Sequence, residues 1–195
     1  EQIGNTHLFV GRKKEFDYFL GDWYYYLENN IAQSQAIVAR RKKGKTAFLQ
    51  RLFNILWSVP ESGIMPFYYS IKDMGMSLAE FSKSFFTAFA NHYLSYIERN
   101  QELVSYPMGF EALRERIKDK HLREAYEWIE SSEKSNNWGL MWEAASRAPF
   151  GMAVVKKMKI VQIIDEFQNI NAYVYDQRGE KIDTMSGTYL DLAEK

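Results

Sequence analysis

The chain has 195 residues, 46% of them hydrophobic and 26% charged, which suits one domain with a sizeable core and excludes a disordered, collagen-like or low-complexity chain. Its 25 basic and 25 acidic residues give a net charge of +0, so no global field draws it to nucleic acid or membrane. Without cysteine, disulfides, thiol nucleophiles and thiolate metal sites are excluded as well.

In chain order, the sequence opens on Glu1 rather than Met, which reads as a fragment or processed product. No basic-then-apolar leader follows, and no apolar run approaches the ~18 residues that span a bilayer, so a cytoplasmic protein without membrane contact is expected. Phe9, Val10, Gly11 and Arg12 form a short entry. Phe16, Phe19, Leu20, Trp23 and Leu27 then recur at helical spacing to about residue 30, with Gly21 and Asp22 as a candidate break. Residues 36–39 are a short apolar run with β-branched members, the pattern of a buried strand. Phe48, Leu49, Leu52, Phe53 and Leu56 mark an amphipathic helix ending before Pro60.

Residues 65–71 predict a second strand. Ser77 and Glu80 stand at capping-box spacing ahead of a helix that buries Phe81, Phe85 and Phe89 and runs toward Ile97. Helical periodicity returns over 111–131, and another helix is expected between the Asn136-Asn137 pair and Pro149. Residues 159–164 form an apolar run closing on Asp165 and Glu166; a loop over 171–179 and a last helix complete the reading. Strands alternating with helices predict an α/β fold, a parallel sheet covered on both faces. About three strands are visible, where small sheets commonly have ~4–6. The aromatic content of 16% serves either a packed interior or a contact surface.

Two motifs carry chemistry. Phosphate binding needs inward-pointing amides, a helix N-terminus and a cation that reaches the outer phosphates, which a strand–loop–helix turn supplies. Ala39, Arg40, Arg41, Lys42, Lys43, Gly44, Lys45 and Thr46 align with the Walker A pattern G-x-x-x-x-G-K-[ST], with Ala39 in place of the first glycine. If Ala39 takes a positive φ, its Cβ costs on the order of 1 kcal/mol. Ala47 continues the cradle into the helix. The second motif is the carboxylate pair at the end of the last strand, where open α/β sheets place their ligands. The Thr46 hydroxyl is the expected Mg²⁺ ligand and Asp165 would hold the ion through its water shell; Glu166 would orient the attacking water and Lys45 would neutralise the β- and γ-phosphates of ATP.

At these residues the chain resembles the AAA-type P-loop ATPases, particularly the archaeal ATPase and signal-transducing branch. The likeness lies in Phe9-Val10-Gly11-Arg12 with Glu15, in Arg40 to Thr46, and in Ile163-Ile164-Asp165-Glu166-Phe167-Gln168. It implies a three-layer α/β/α P-loop domain over 1–195 whose nucleotide state drives rearrangement or assembly. It also implies a place near the adenine for Gly11 and Arg12. Further strands, a sensor residue and a helical lid would follow Lys195, and self-association or a protein partner would act through that region. Arg178 is not assignable as an arginine finger. The helical stretch at about 98–150 would be an insertion that meets partners. Two other readings stay open: a switch module that binds nucleotide but hardly hydrolyses it, and a nucleic-acid contact through the basic loop. ATP and GTP are not separated by any motif.

Overall fold

Two parallel strands form the centre of the protein. The structure, a computed structural model, describes residues 11–31, 34–40, 42–59, 63–187 and 189. Strand β1 (Ile64–Ser70) pairs with β3 (Lys159–Asp165) over its whole length, with Ile64 opposite Lys159 and Ser70 opposite Asp165. The Lys159 amide donates to the Gly63 carbonyl and the Ile71 amide to the Asp165 carbonyl, extending the ladder at both ends. A smaller parallel pair joins β2 (Met76–Ser77) to β4 (Val174–Tyr175).

Helices α1 (Lys13–Asp17) and α2 (Trp23–Glu28) precede the strands and are joined by a π-helical turn, Tyr18–Asp22. The predicted break at Gly21 and Asp22 is thus a widened turn in one helical arm. Phe16 and Phe19 lie 4.6 and 5.7 Å from the Phe48 ring, which fixes the arm to α3 (Lys45–Ser58). The Lys159 ammonium donates to the Leu27 carbonyl at 2.6 Å and to that of Glu28.

Side chains alternate across β1. Tyr68 meets Phe53 of α3, whereas Phe67 and Tyr69 meet Phe81, Phe85 and Phe89 of α4 (Leu78–Glu98). The two helices therefore cover opposite faces of the strand. Behind α4 lie α5 (Glu102–Ser105), α6 (Phe110–Arg116), α7 (Lys120–Lys134) and α8 (Trp138–Lys156), and Trp142 of α8 adds its ring to Phe81 and Phe85. Much of the aromatic content thus fills the interior. The last short helix is α9 (Asn169–Tyr173). Among the described residues, no helix is long and apolar enough to cross a membrane.

The capping box stands as expected: the Glu80 amide donates to Ser77 Oγ at 3.2 Å, and the Ser77 amide donates to Glu80 Oε2 at 2.8 Å. Several expectations need correction. Residues 36–39 form no strand, and Val38 is 94% exposed. The helix expected over 111–131 is two, because Ile117 turns extended and the Asp119 carboxylate caps α7 through the His121 and Leu122 amides. Pro149 does not end α8, which runs on to Lys156 with Pro149 buried inside it. The expected loop at 171–179 begins only after the end of α9 and β4. Residues 185–187 are helical, and Met185 and Tyr189 are buried.

Candidate active site

The glycine-lysine-threonine turn opens α3. Gly44 is its N-cap, left-handed at φ 73°, and among the described residues no side chain caps the helix, the form of helix start that can meet an anion. Lys42 is left-handed as well, at φ 63°. Ala39 is not among the described residues with positive φ, so the strain expected there falls on Lys42 instead. Arg40, Lys42 and Lys43 are exposed, Ala47 is half-buried, and Arg41, Phe9 and Val10 lie outside the described residues.

Arg12 reaches this loop. Its guanidinium donates to the Lys43 carbonyl and pairs with Glu15 at 3.0 Å, so the residue tethers the loop to α1. Gly11 beside it is exposed at φ 94°.

Asp165 is the hub. At 1% exposure, its Oδ2 accepts the Thr46 hydroxyl at 2.6 Å and the Tyr68 hydroxyl at 3.3 Å. Its Oδ1 accepts the Glu166 amide at 2.9 Å and stands 3.5 Å from Lys45 Nζ. Glu166 Oε1 lies 3.2 Å from the same ammonium, and Gln168 donates to Oε2. A φ of 53° at Glu166 turns the chain sharply off β3, which lets neighbouring carboxylates share one cation. Two motifs 119 residues apart thus meet through a direct hydrogen bond and a shared lysine.

Burial, and then the charge of Asp165, push the Tyr68 hydroxyl up to about 12, so it remains a donor at neutral pH. Sequence reasoning missed Tyr68, whose place beside Asp165 comes only from the pairing of β1 with β3. It also missed the Arg12–Lys43 contact, for which the sequence holds no signal.

Among the described residues, no group of three or more His, Asp or Glu is placed to hold a metal. The Thr46 hydroxyl and Asp165 carboxylate nonetheless suit Mg²⁺, which takes one or two hard protein oxygens and completes its shell with phosphate and water. Comparison with protein-family models, curated proteins and solved structures found no match for this chain.

Proposed function

We propose that this α/β protein is the nucleotide-binding portion of a three-layer P-loop ATPase of the AAA type, one that binds Mg-ATP and hydrolyses it. The contact of Thr46 with Asp165 at 2.6 Å carries the reading, because it joins the two motifs in the pairing that phosphate chemistry requires. Gly44 and the first amides of α3 would cradle the phosphates, with Ala39, Arg40, Arg41, Lys42, Lys43 and Ala47 completing the loop. Lys45 would exchange its carboxylate partners for β- and γ-phosphate oxygens. Thr46 and Asp165 would hold Mg²⁺, which when bound supplies charge neutralisation at the phosphates. Glu166, released from Lys45, would orient water and accept its proton.

Calorimetry with Mg-ATP tests this. Saturable one-site binding by the protein, lost in Lys45→Ala while urea unfolding shows that variant folded, is the expected result. No binding by the unsubstituted protein would overturn the reading.

A second reading has its own observation. Both Glu166 oxygens are engaged, one by Lys45 and one by Gln168, an arrangement suited to a switch that holds nucleotide with slow turnover. If Glu166→Gln leaves ATP turnover unchanged while binding persists, the switch reading replaces the hydrolytic one.

A further inference from the structure

On its side away from β3, β1 borders a cavity of about 700 Å³. The Gly63 carbonyl and the Ile71 amide both bond β3, and backbone groups alternate along a strand, so those of residues 65, 67 and 69 face β3 too. The backbone groups of Ile64, Pro66, Tyr68 and Ser70 therefore face outward. Tyr68 and Ser70 border the cavity, with Phe53 and Trp57 of α3 on one side and Thr87 and His92 of α4 on the other.

Two sets of contacts brace the cavity wall. The Trp57 indole donates to Ser95 Oγ at 3.1 Å, joining α3 to α4 beyond the strand edge. Asn91 exchanges two hydrogen bonds with the Met108 backbone, at 2.8 and 2.9 Å, which fixes the 101–109 connection as an end wall. His92 sits between the Phe53 and Phe67 rings, at 4.9 and 5.8 Å, and among the described residues its buried Nδ1 has no hydrogen-bond partner. Burial holds the imidazole neutral.

The geometry points to a second binding site here, apart from the phosphate loop and joined to the candidate site through Tyr68, for a flat uncharged heteroaromatic molecule with an amide-like edge. Three features select that class. A cavity of this size whose aromatic walls are interspersed with polar side chains suits a small molecule that has both a flat apolar face and a polar edge. The backbone of Tyr68 and Ser70 offers alternating donors and acceptors, which an amide or nucleobase edge can match. Among the described residues, no charged side chain stands free at the site: Lys83, which borders it, is paired with Glu111 and Glu133. An added peptide strand fits less well, since Pro66 has no N–H and the 101–109 wall blocks the groove.

The test is ¹H–¹⁵N NMR of the whole chain titrated with adenine, uracil and nicotinamide. Saturable shifts at the Tyr68 and Ser70 amides and the His92 ring, with a Kd on the order of 1 mM for at least one ring, are expected. Ala88→Phe, which fills the cavity, should remove them, and Lys45→Ala should leave them in place. No saturable shift with any of the three, or shifts centred on Lys45 and Thr46, would overturn the site. Binding of an extended valine-rich peptide instead of the rings would overturn it in favour of strand addition.

Discussion

Two apolar runs lead into the two motifs, residues 36–39 before the glycine-lysine-threonine turn and β3 before Asp165, and they take different forms. Both are short, β-branched and followed by charged residues. Yet β3 is a full ladder strand with Val161 and Ile163 buried, whereas residues 36–39 leave Val38 at 94% exposure. The difference lies in what stands beside them. β3 has β1 opposite every residue, so alternate amides and carbonyls along it find ladder partners; residues 36–39 have no paired strand among the described residues. An apolar pattern states a preference for burial, and a neighbour makes the strand.

The largest expected effect breaks the comparison at β3. Ile163→Ala should cost roughly 2–5 kcal/mol in urea unfolding, as a buried side chain leaves a cavity. Val38→Ala should change stability by less than about 0.5 kcal/mol; an equal loss at both positions would show that the first run is packed as the second is.

His92 beneath β1 tests the packed side by pH. Its imidazole titrates at 6.5 as an ordinary group and at about 4 in the folded chain, where burial disfavours the charged ring. The unfolded chain therefore takes up its proton first, and stability falls as pH drops from 6.5 toward 4. His92→Phe should flatten that part of the profile. An unchanged slope would mean that the ring is not dry.

Thr46→Val sharpens the comparison where the two runs meet. Losing the hydroxyl bond to Asp165 should cost roughly 1 kcal/mol, since Thr46 is exposed, and the same loss is not expected in Thr46→Ser. The smallest effect belongs to Ala39→Gly. Because Ala39 carries no positive φ, glycine relieves nothing, and stability should fall by under about 1 kcal/mol with Mg-ATP affinity unchanged. A clear gain in affinity would restore the strained loop that the motif alone suggests.

Elements whose signal is local were legible in the sequence. β1, α3 and α4 lie within a residue or two of their patterns, and the Ser77–Glu80 box is read directly from residue spacing. Gly44, Lys45, Thr46, Asp165 and Glu166 were legible as types at motif positions, and their meeting required the fold. What escaped depends on context. The break at residues 117–119 rests on one aspartate choosing a cap, and Pro149 is tolerated inside α8 because packing outweighs the hydrogen bond it removes. The pair β2–β4 is two residues long, too short for any periodicity to register.

The helical arm of α1, the π-helical turn and α2 is held at both ends: at one by Phe16 and Phe19 on Phe48, at the other by Lys159 on the last carbonyls of α2. Phe48 follows Thr46 by two residues, and Lys159 begins the strand that ends on Asp165. At about 1.5 Å per residue the sixteen positions from Lys13 to Glu28 span about 24 Å, so the arm bridges the helix that carries Thr46 and the start of the strand that ends on Asp165. Phe19, inside the π turn, is itself buried against Phe48, so the widened turn is one of the arm's points of attachment. Truncating Phe48 or replacing Lys159 would therefore release one end of the arm while the other stays tethered.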